Sequence, residues 1–276
     1  MSLNATSDLV ARLNERGAKK VALQFPEGLK RQAAETAAAL KSAGFEVIVS
    51  GDPCYGACDL ALDNVGKGNA DVLVHFGHAP VDKRKNVIFI PWTVDFDTAV
   101  LGKVLPLLTG KTVGLVTTVQ HAHLVPAMEA FLSAKGYEVR VSEGSGRTPL
   151  RGQVLGCSFA AAKSTGAPVI LFVGTGVFHP IGIALATKAH VVALDPLTGI
   201  AQEVSAEPLL RRRFAMIEKA RGAKTVGILM STKSGQARRT LAERLASLSP
   251  GAVIVAMREV SPDELLNLGF DCYVNT

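Results

Sequence analysis

Lys20-Val-Ala-Leu-Gln-Phe-Pro-Glu-Gly28 returns twice in altered form, as Thr112-Val-Gly-Leu-Val-Thr-Thr-Val-Gln120 and as Thr225-Val-Gly-Ile-Leu-Met-Ser-Thr-Lys233. Each copy is an apolar run that breaks into polar residues, the pattern of a buried strand entering a turn. Alanine and leucine at helical spacing follow, predicting helices over Leu29 to Ala43, Leu124 to Lys135 and Gln236 to Leu248. A second strand comes next at Phe45–Ser50, Tyr137–Val141 and Ala252–Ala256. In Ala43-Gly-Phe-Glu-Val47 and Lys135-Gly-Tyr-Glu-Val139 the glycine closes the preceding helix. Each unit then carries a later strand, Ala70–Gly77, Pro168–Gly174 and Phe270–Asn275. Continuous apolar strands alternating with helices predict parallel sheets covered on both faces. The expected fold is α/β: three repeated Rossmann-like α/β domains with parallel sheets arranged around a central site. The expected boundaries are 1–105 with Cys58, 106–200 with Cys157, and 201–276.

A chain of 276 residues, 48% hydrophobic, can bury a substantial core. No apolar stretch reaches the roughly 18 residues of a membrane span. Met1 to Asn14 lacks the basic start and apolar run of a secretory signal. A cytoplasmic protein with no membrane partner is expected. Four cysteines are too few for a disulfide scaffold, and a reducing compartment leaves them free for metal or redox work. The formal charge is +6, and between Leu209 and Arg239 nine Lys or Arg face the single acid Glu218. Such a stretch attracts acidic macromolecules. Arg211, Arg212 and Arg213 nevertheless fall in an amphipathic helix from Leu209 to Ala220, where a charge run is ordinarily a solvated face. Interleaved aromatics are missing, so no direct nucleic-acid partner is expected.

Cys58 in Gly51-Asp-Pro-Cys-Tyr-Gly-Ala-Cys-Asp59 and Cys157 in Gly152-Gln-Val-Leu-Gly-Cys-Ser-Phe159 occupy matching places in successive copies. Glycine and proline make both segments tight loops, and loop thiolates are soft ligands for iron–sulfur clusters or zinc. The alternative is that these are packing thiols. Cys272 alternates within a strand and reads as core, whereas Cys54 has no assigned role. A zinc site from Cys54, Cys58, His75 and His78 has the right donors. It is disfavoured because His75 lies in a strand and His78 just past its end, so alternation should send their side chains different ways. His121 and His123 read as loop and helix-start residues. The glycines of Gly174-Thr-Gly-Val-Phe-His-Pro-Ile-Gly182 would let backbone approach a nucleotide or amino-acid ligand. Asp195-Pro196 is either a strand-exit carboxylate for a ligand or an ordinary turn aspartate.

The ordered motifs Phe25-Pro-Glu-Gly-Leu29, Tyr55-Gly-Ala-Cys-Asp59, His75-Phe-Gly-His78, Thr117-Thr-Val-Gln-His121, Gly152-Gln-Val-Leu-Gly-Cys157, Gly174-Thr-Gly-Val-Phe-His-Pro180, Asp195-Pro196 and Lys233-x-Gly-Gln236 span essentially the whole chain. Together they resemble the archaeal diphthamide synthase family, the 2-(3-amino-3-carboxypropyl)histidine synthases. The resemblance implies a 4Fe-4S cluster held by one cysteine from each of three domains, with S-adenosylmethionine as cosubstrate. It further implies cleavage of that cofactor to a 3-amino-3-carboxypropyl radical, which adds to the imidazole C2 of a histidine in translation elongation factor 2. A homodimer and an external electron donor are implied as well. On the motifs, Cys58 and Cys157 match the first and second cluster ligands. The third is expected in an Ala-Cys-Pro-Arg motif directly after a strand like Tyr273-Val-Asn-Thr276, so the third repeat is expected to be cut short before its cluster cysteine. By the same analogy Gln24, Pro26, Glu27, Gly28, Gly174, Gly176, His179, Pro180, Asp195, Pro196 and Gln236 would bind the cofactor. No general base is assigned.

Overall fold

The computed structural model describes residues 3–66, 69–81, 84–144, 146–233 and 235–276, the side chains of 3–6 excepted. The chain runs through α1 (Leu3–Glu15), β1 (Lys20–Gln24), α2 (Ala33–Ser42), β2 (Glu46–Val49), β3 (Val72–Gly77) and β4 (Val87–Pro91). These strands form a four-stranded parallel sheet in the order β2-β1-β3-β4. Next come β5 (Thr112–Thr117), α3 (Val125–Ala134), β6 (Glu138–Arg140), α4 (Ala160–Ser164), β7 (Val169–Val173), α5 (Phe178–Thr187), β8 (His190–Leu194) and β9 (Ala201–Val204). Their sheet has the order β6-β5-β7-β8-β9, parallel except for β9, which pairs antiparallel at the edge. The remaining elements are α6 (Glu207–Ala220), β10 (Val226–Ser231), α7 (Arg239–Leu248), β11 (Val253–Met257), α8 (Pro262–Leu268) and β12 (Cys272–Asn275), with a parallel sheet β11-β10-β12.

The α/β reading with three parallel-stranded sheets therefore holds, and the repeated motif falls on β1, β5 and β10. The helix expected from Leu29 starts later. Residues Glu27–Gln32 form a 3-10 segment, begun by the Leu29 N–H bonding to the Pro26 carbonyl at 2.8 Å, before α2 proper. A shared device marks the first and third repeats. The carboxylate of Asp71 accepts the backbone N–H groups of Lys19 and Lys20 at 2.8 and 2.9 Å, and Asp271 does the same for Lys224 and Thr225 at 2.9 and 2.8 Å. Each aspartate thus pins the start of its later strand to the start of the first. These backbone bonds hold both carboxyl groups below their ordinary pKa. The second repeat has Pro168 and Val169 at the start of β7 instead.

Two compact units emerge: unit 1, Met1–Pro53 with Ala61–Ala206, and unit 2, Cys54–Leu60 with Glu207–Thr276. In unit 1 the central strands β1, β3, β5, β7 and β8 are buried, whereas the edge strands β2, β6 and β9 are partly exposed. Leu115, Val169, Leu171, Val173 and Leu194 pack toward α3, while Val116, Ile170, Phe172, Val191 and Ala193 pack toward α4 and α5. The first sheet buries Leu23, Val74 and Phe76 against Leu9, Leu13 and Leu40. Phe25 stacks on Phe76 with centroids 4.3 Å apart. Unit 2 has a smaller buried cluster, Ile228, Met230 and Ala242, and α6 buries none of its residues. None of the helices among the described residues is long and apolar enough to cross a membrane.

Candidate metal and cofactor site

In unit 2, Cys58 is half-buried in the segment Cys54–Leu60. The Asp59 N–H bonds to the Gly56 carbonyl at 2.9 Å, and the Tyr55 N–H reaches the Asp59 carboxylate at 3.3 Å, so the loop is folded on itself. After β10 the chain turns, with the Gln236 and Ala237 N–H groups both donating to the Lys233 carbonyl at 2.9 Å. That turn presents the Gln236 side-chain amide to Cys58, with Nε2 3.5 Å from Sγ. An N–H donor stabilises a sulfur that carries negative charge, the form in which cysteine binds metal. The two segments meet backbone to backbone, because a Cβ on Gly235 would stand 2.2 Å from the Cys58 carbonyl oxygen.

Beneath this contact lies a charged cluster. The Lys233 side chain, only 7% exposed, donates to Asp59 Oδ2 and to Glu259 Oε2, each at 2.8 Å, and sits 4.9 Å from the centroid of the Tyr55 ring. Burial by itself would lower the lysine pKa, but the hydrogen bonds to Asp59 and Glu259 outweigh it and raise it. Glu259 is held below the ordinary carboxylate value by its bonds to Lys233 and then to the Tyr55 hydroxyl. Cys54 differs from its neighbour. Burial pushes its thiol up to about 11. Cys272 is half-buried within β12, as a packing residue would be.

In unit 1, Cys157 is exposed at the tip of a tight turn closed by paired bonds between Leu155 and Ser158, both 3.0 Å. The residue is accessible from solvent, as a cluster ligand in a loop would be. Beyond β7, Gly174 is buried and Gly176 exposed, and α5 begins within the glycine loop at Phe178. His179 stacks on Phe172 at 5.7 Å, and burial lowers its pKa. Pro180 is buried within the first turn of α5. Asp195 Oδ1 accepts the N–H groups of Leu197 and Thr198 at 2.9 and 3.2 Å, the geometry of a turn aspartate, and Pro196 behind it is buried. His121, in a loop, donates its Nδ1–H to the Val94 carbonyl at 2.9 Å, and His123, in the short 3-10 turn that leads into α3, pairs with Asp95.

Gln24 ends β1 in register with His75 on β3. Its Oε1 accepts the Ala61 N–H at 3.1 Å and lies 2.9 Å from His75 Nδ1. An amide oxygen only accepts, so His75 carries its proton on Nδ1. His75 Nε2 is then bare and accepts from His78 Nδ1 at 2.9 Å. Burial, then the neighbouring His78, pushes the His75 pKa down to about 3, and burial lowers that of His78 also. This corrects the expectation that alternation separates the two imidazoles. The strand ends at Gly77, whose φ of +89° bends the chain and returns His78 to the face of His75. Pro26 is half-buried, while Glu27 and Gly28 are exposed, Glu27 pairing with Lys30 at 2.7 Å. Of the expected cofactor residues, Gln236 lies beside the Cys58 sulfur and Gln24 belongs to the histidine relay. Lys233, Asp59 and Glu259 escaped sequence reasoning. Lys233 and Asp59 stand within quoted motifs, whereas Glu259 carries no local signal.

The family profile of diphthamide synthesis proteins matches residues 25–276. The chain belongs to this family. It is 36% identical to the 2-(3-amino-3-carboxypropyl)histidine synthase of Pyrococcus horikoshii, over 97% of this chain and 81% of that protein. The enzyme of the same name from Methanocaldococcus jannaschii is 27% identical over 92% of this chain and 76% of its own length. Among solved structures, Dph2 from Pyrococcus horikoshii with a 4Fe-4S cluster superimposes with a TM-score of 0.93 at 35% identity, covering 98% of this chain and 82% of that one. Membership of the diphthamide synthesis family agrees with the motifs that carried the resemblance.

Proposed function

We propose that this protein transfers the 3-amino-3-carboxypropyl group of S-adenosylmethionine to the imidazole C2 of a histidine in translation elongation factor 2, by a radical route at a 4Fe-4S cluster, as the first step of diphthamide biosynthesis. Family membership, the name shared by the Pyrococcus and Methanocaldococcus relatives, and the cluster in the Pyrococcus Dph2 structure support this reading. The observation that carries it is the Gln236 amide 3.5 Å from the Cys58 sulfur. An N–H donor aimed at the sulfur fits a metal-bound thiolate.

Cys58 and Cys157 would hold the cluster. When bound, it supplies the electron that opens a carbon–sulfur bond of the cofactor. The chain's own residues bind and orient. The exposed backbone around Gly176, just before α5, offers N–H groups suited to a carboxylate. Asp195 shapes the turn after β8 through Leu197 and Thr198, and so frames the same end of the sheet. Pro26, Glu27 and Gly28 line the turn after β1, where ligands of parallel sheets bind. A homodimer and an external electron donor complete the proposed system. The test is an anaerobic assay of iron- and sulfide-reconstituted protein with dithionite, carboxyl-labelled S-adenosylmethionine and elongation factor 2. Label is expected on the factor and lost with Cys58→Ala and with Cys157→Ala; no transfer from cluster-loaded protein refutes the assignment.

A further inference from the structure

We propose that Lys233 is a positioning residue for Cys58, fastening the cysteine loop through its side chain and placing the Gln236 amide through its backbone. The ammonium group reaches Asp59, the residue directly after Cys58, and lies over Tyr55 on the other side of it in the loop. Glu259 anchors the same ammonium from beyond β11. Meanwhile the Lys233 carbonyl accepts the Gln236 N–H at 2.9 Å and closes the turn that delivers the amide to Sγ. One residue therefore fixes both the sulfur and its hydrogen-bond donor. The pair is deeply buried, with side-chain exposures of 7% for Lys233 and 4% for Asp59, so neither charge can be released to water without opening the loop. A surface ion pair would leave the loop free to sample other positions; this one does not. Donors and supports of this kind around metal-binding side chains set ligand orientation and metal affinity.

The significance for a cluster rests on the function proposed above, but the loop fixation itself is measurable on metal-free protein, so the two ideas fail separately. Metal-free protein is alkylated with iodoacetamide at neutral pH, and the four free cysteines are followed individually by mass spectrometry. Cys272, in β12 of the same unit, reports on the fold of unit 2, and Cys157 reports on unit 1. Local opening raises the rate at the opened thiol alone. The paired variant Lys233→Met with Asp59→Asn, which leaves no orphan charge between these two positions, is expected to raise Cys58 alkylation about tenfold while Cys272 and Cys157 stay within about twofold of wild type. Glu259→Gln removes a half-exposed anchor and is expected to raise the Cys58 rate about threefold. If the paired variant does not fold, Glu259→Gln decides. An unchanged Cys58 rate overturns the proposal, as does a parallel rise at Cys272, which would mean general loosening of the unit. Iron and sulfide uptake is measured on wild type in parallel. Failure of wild type to take up a cluster sinks the ligand role of Cys58, and with it the cluster-positioning claim, whereas uptake together with the selective Cys58 effect supports both.

Discussion

The two units bury polar groups at the ends of homologous first strands by opposite means. Unit 1 does so with neutral groups: Gln24 at the end of β1, then His75 and His78, linked by hydrogen bonds of 2.9 Å. Unit 2 does so with charge: Lys233, just past β10, between Asp59 and Glu259. The same α/β repeat thus offers a strand-end position that must be satisfied, and leaves open how. In unit 1 the partner comes from the adjacent strand in register, so the arrangement follows from sheet geometry. In unit 2 the main partner comes from the cysteine loop, so satisfying the lysine also places Cys58. The teaching is that a neutral relay and an ionic clamp respond differently to truncation, to pH and to salt, and those differences can be measured.

The largest expected effect comes from breaking the clamp on one side only. Lys233→Met leaves the buried Asp59 carboxylate without its cation, and loss of one partner of a buried ion pair costs about 3–5 kcal/mol. Urea unfolding of unit 2, followed by the labelling of Cys272, should shift to lower denaturant by a corresponding amount. The paired change with Asp59→Asn should recover much of that loss, since it removes the orphan. If both variants unfold with wild type, the clamp holds nothing and the contrast between the units collapses.

Backbone contact at the two cysteine loops gives the next contrast. At Gly235 an added Cβ would lie 2.2 Å from the Cys58 carbonyl oxygen and 2.8 Å from its Cα, so backbone must move. At Gly156, beside Cys157, the atoms nearest the Cβ would belong to the Phe178 ring, 2.4 Å away at Cε1, and that residue is 69% exposed, so its ring can swing away. Gly235→Ala is therefore expected to cost about 1–3 kcal/mol of unit 2 stability and to displace Cys58, whereas Gly156→Ala costs little. Thermal melts of the two variants check the ranking; equal losses would show that the two loops are equally constrained.

Much of this was legible in the sequence, because strand-turn-helix repeats are local patterns. The Lys20–Gly28 motif and its two variants mark β1, β5 and β10, and the later strands fall where expected. Two strands outside the repeating unit were not read. β4, Val87–Pro91, is an apolar run that the repeat does not require, and β9, Ala201–Val204, is short, polar and paired antiparallel at an edge. At the site, Cys58 was visible as a loop cysteine beside glycine. Its support was not, because Lys233 and Asp59 are 174 positions apart and a lysine in a basic stretch reads as a solvated charge. Lys233 was counted among those basic residues, and burial makes it the exception. The His75–His78 contact was misread for a different reason: alternation holds only within a strand, and the positive φ of Gly77 ends it.

Acid should separate the units next. The His75 pKa is about 3 in the folded protein against an ordinary 6.5, so between those values the unfolded chain binds more protons than the folded one. Stability from this neutral imidazole is complete above pH 6.5 and is lost as pH falls below it, at about 1.4 kcal/mol per pH unit in the middle of the window. His78 acts in the same direction. In unit 2 the signs differ. The raised Lys233 contributes stability that is present below the ordinary lysine value of 10.5 and is lost at higher pH, and the lowered Glu259 loses its contribution only below about the carboxylate value of 4.5. Between pH 6.5 and 5, Trp92 fluorescence should thus report an earlier urea transition for unit 1, with Cys272 labelling in unit 2 unmoved. Parallel movement of both probes would contradict the neutral-against-charged distinction.

The smallest effect tests whether burial, rather than charge pairing as such, makes the clamp strong. Arg211 and Glu207 on α6 form an i,i+4 pair with side-chain exposures of 78% and 63%. Water already solvates both groups, the helix gains little from holding them together, and salt screens what remains. Arg211→Gln is expected to leave the urea transition of unit 2 where it is at both low and high salt, although it removes an ion pair as short as any around Lys233. The comparison is within one unit and one chemistry, so only solvent access differs. A substantial loss from Arg211→Gln would mean that α6 is held by its charges, and the weight placed on the burial of Lys233 would then have to be shared with the surface.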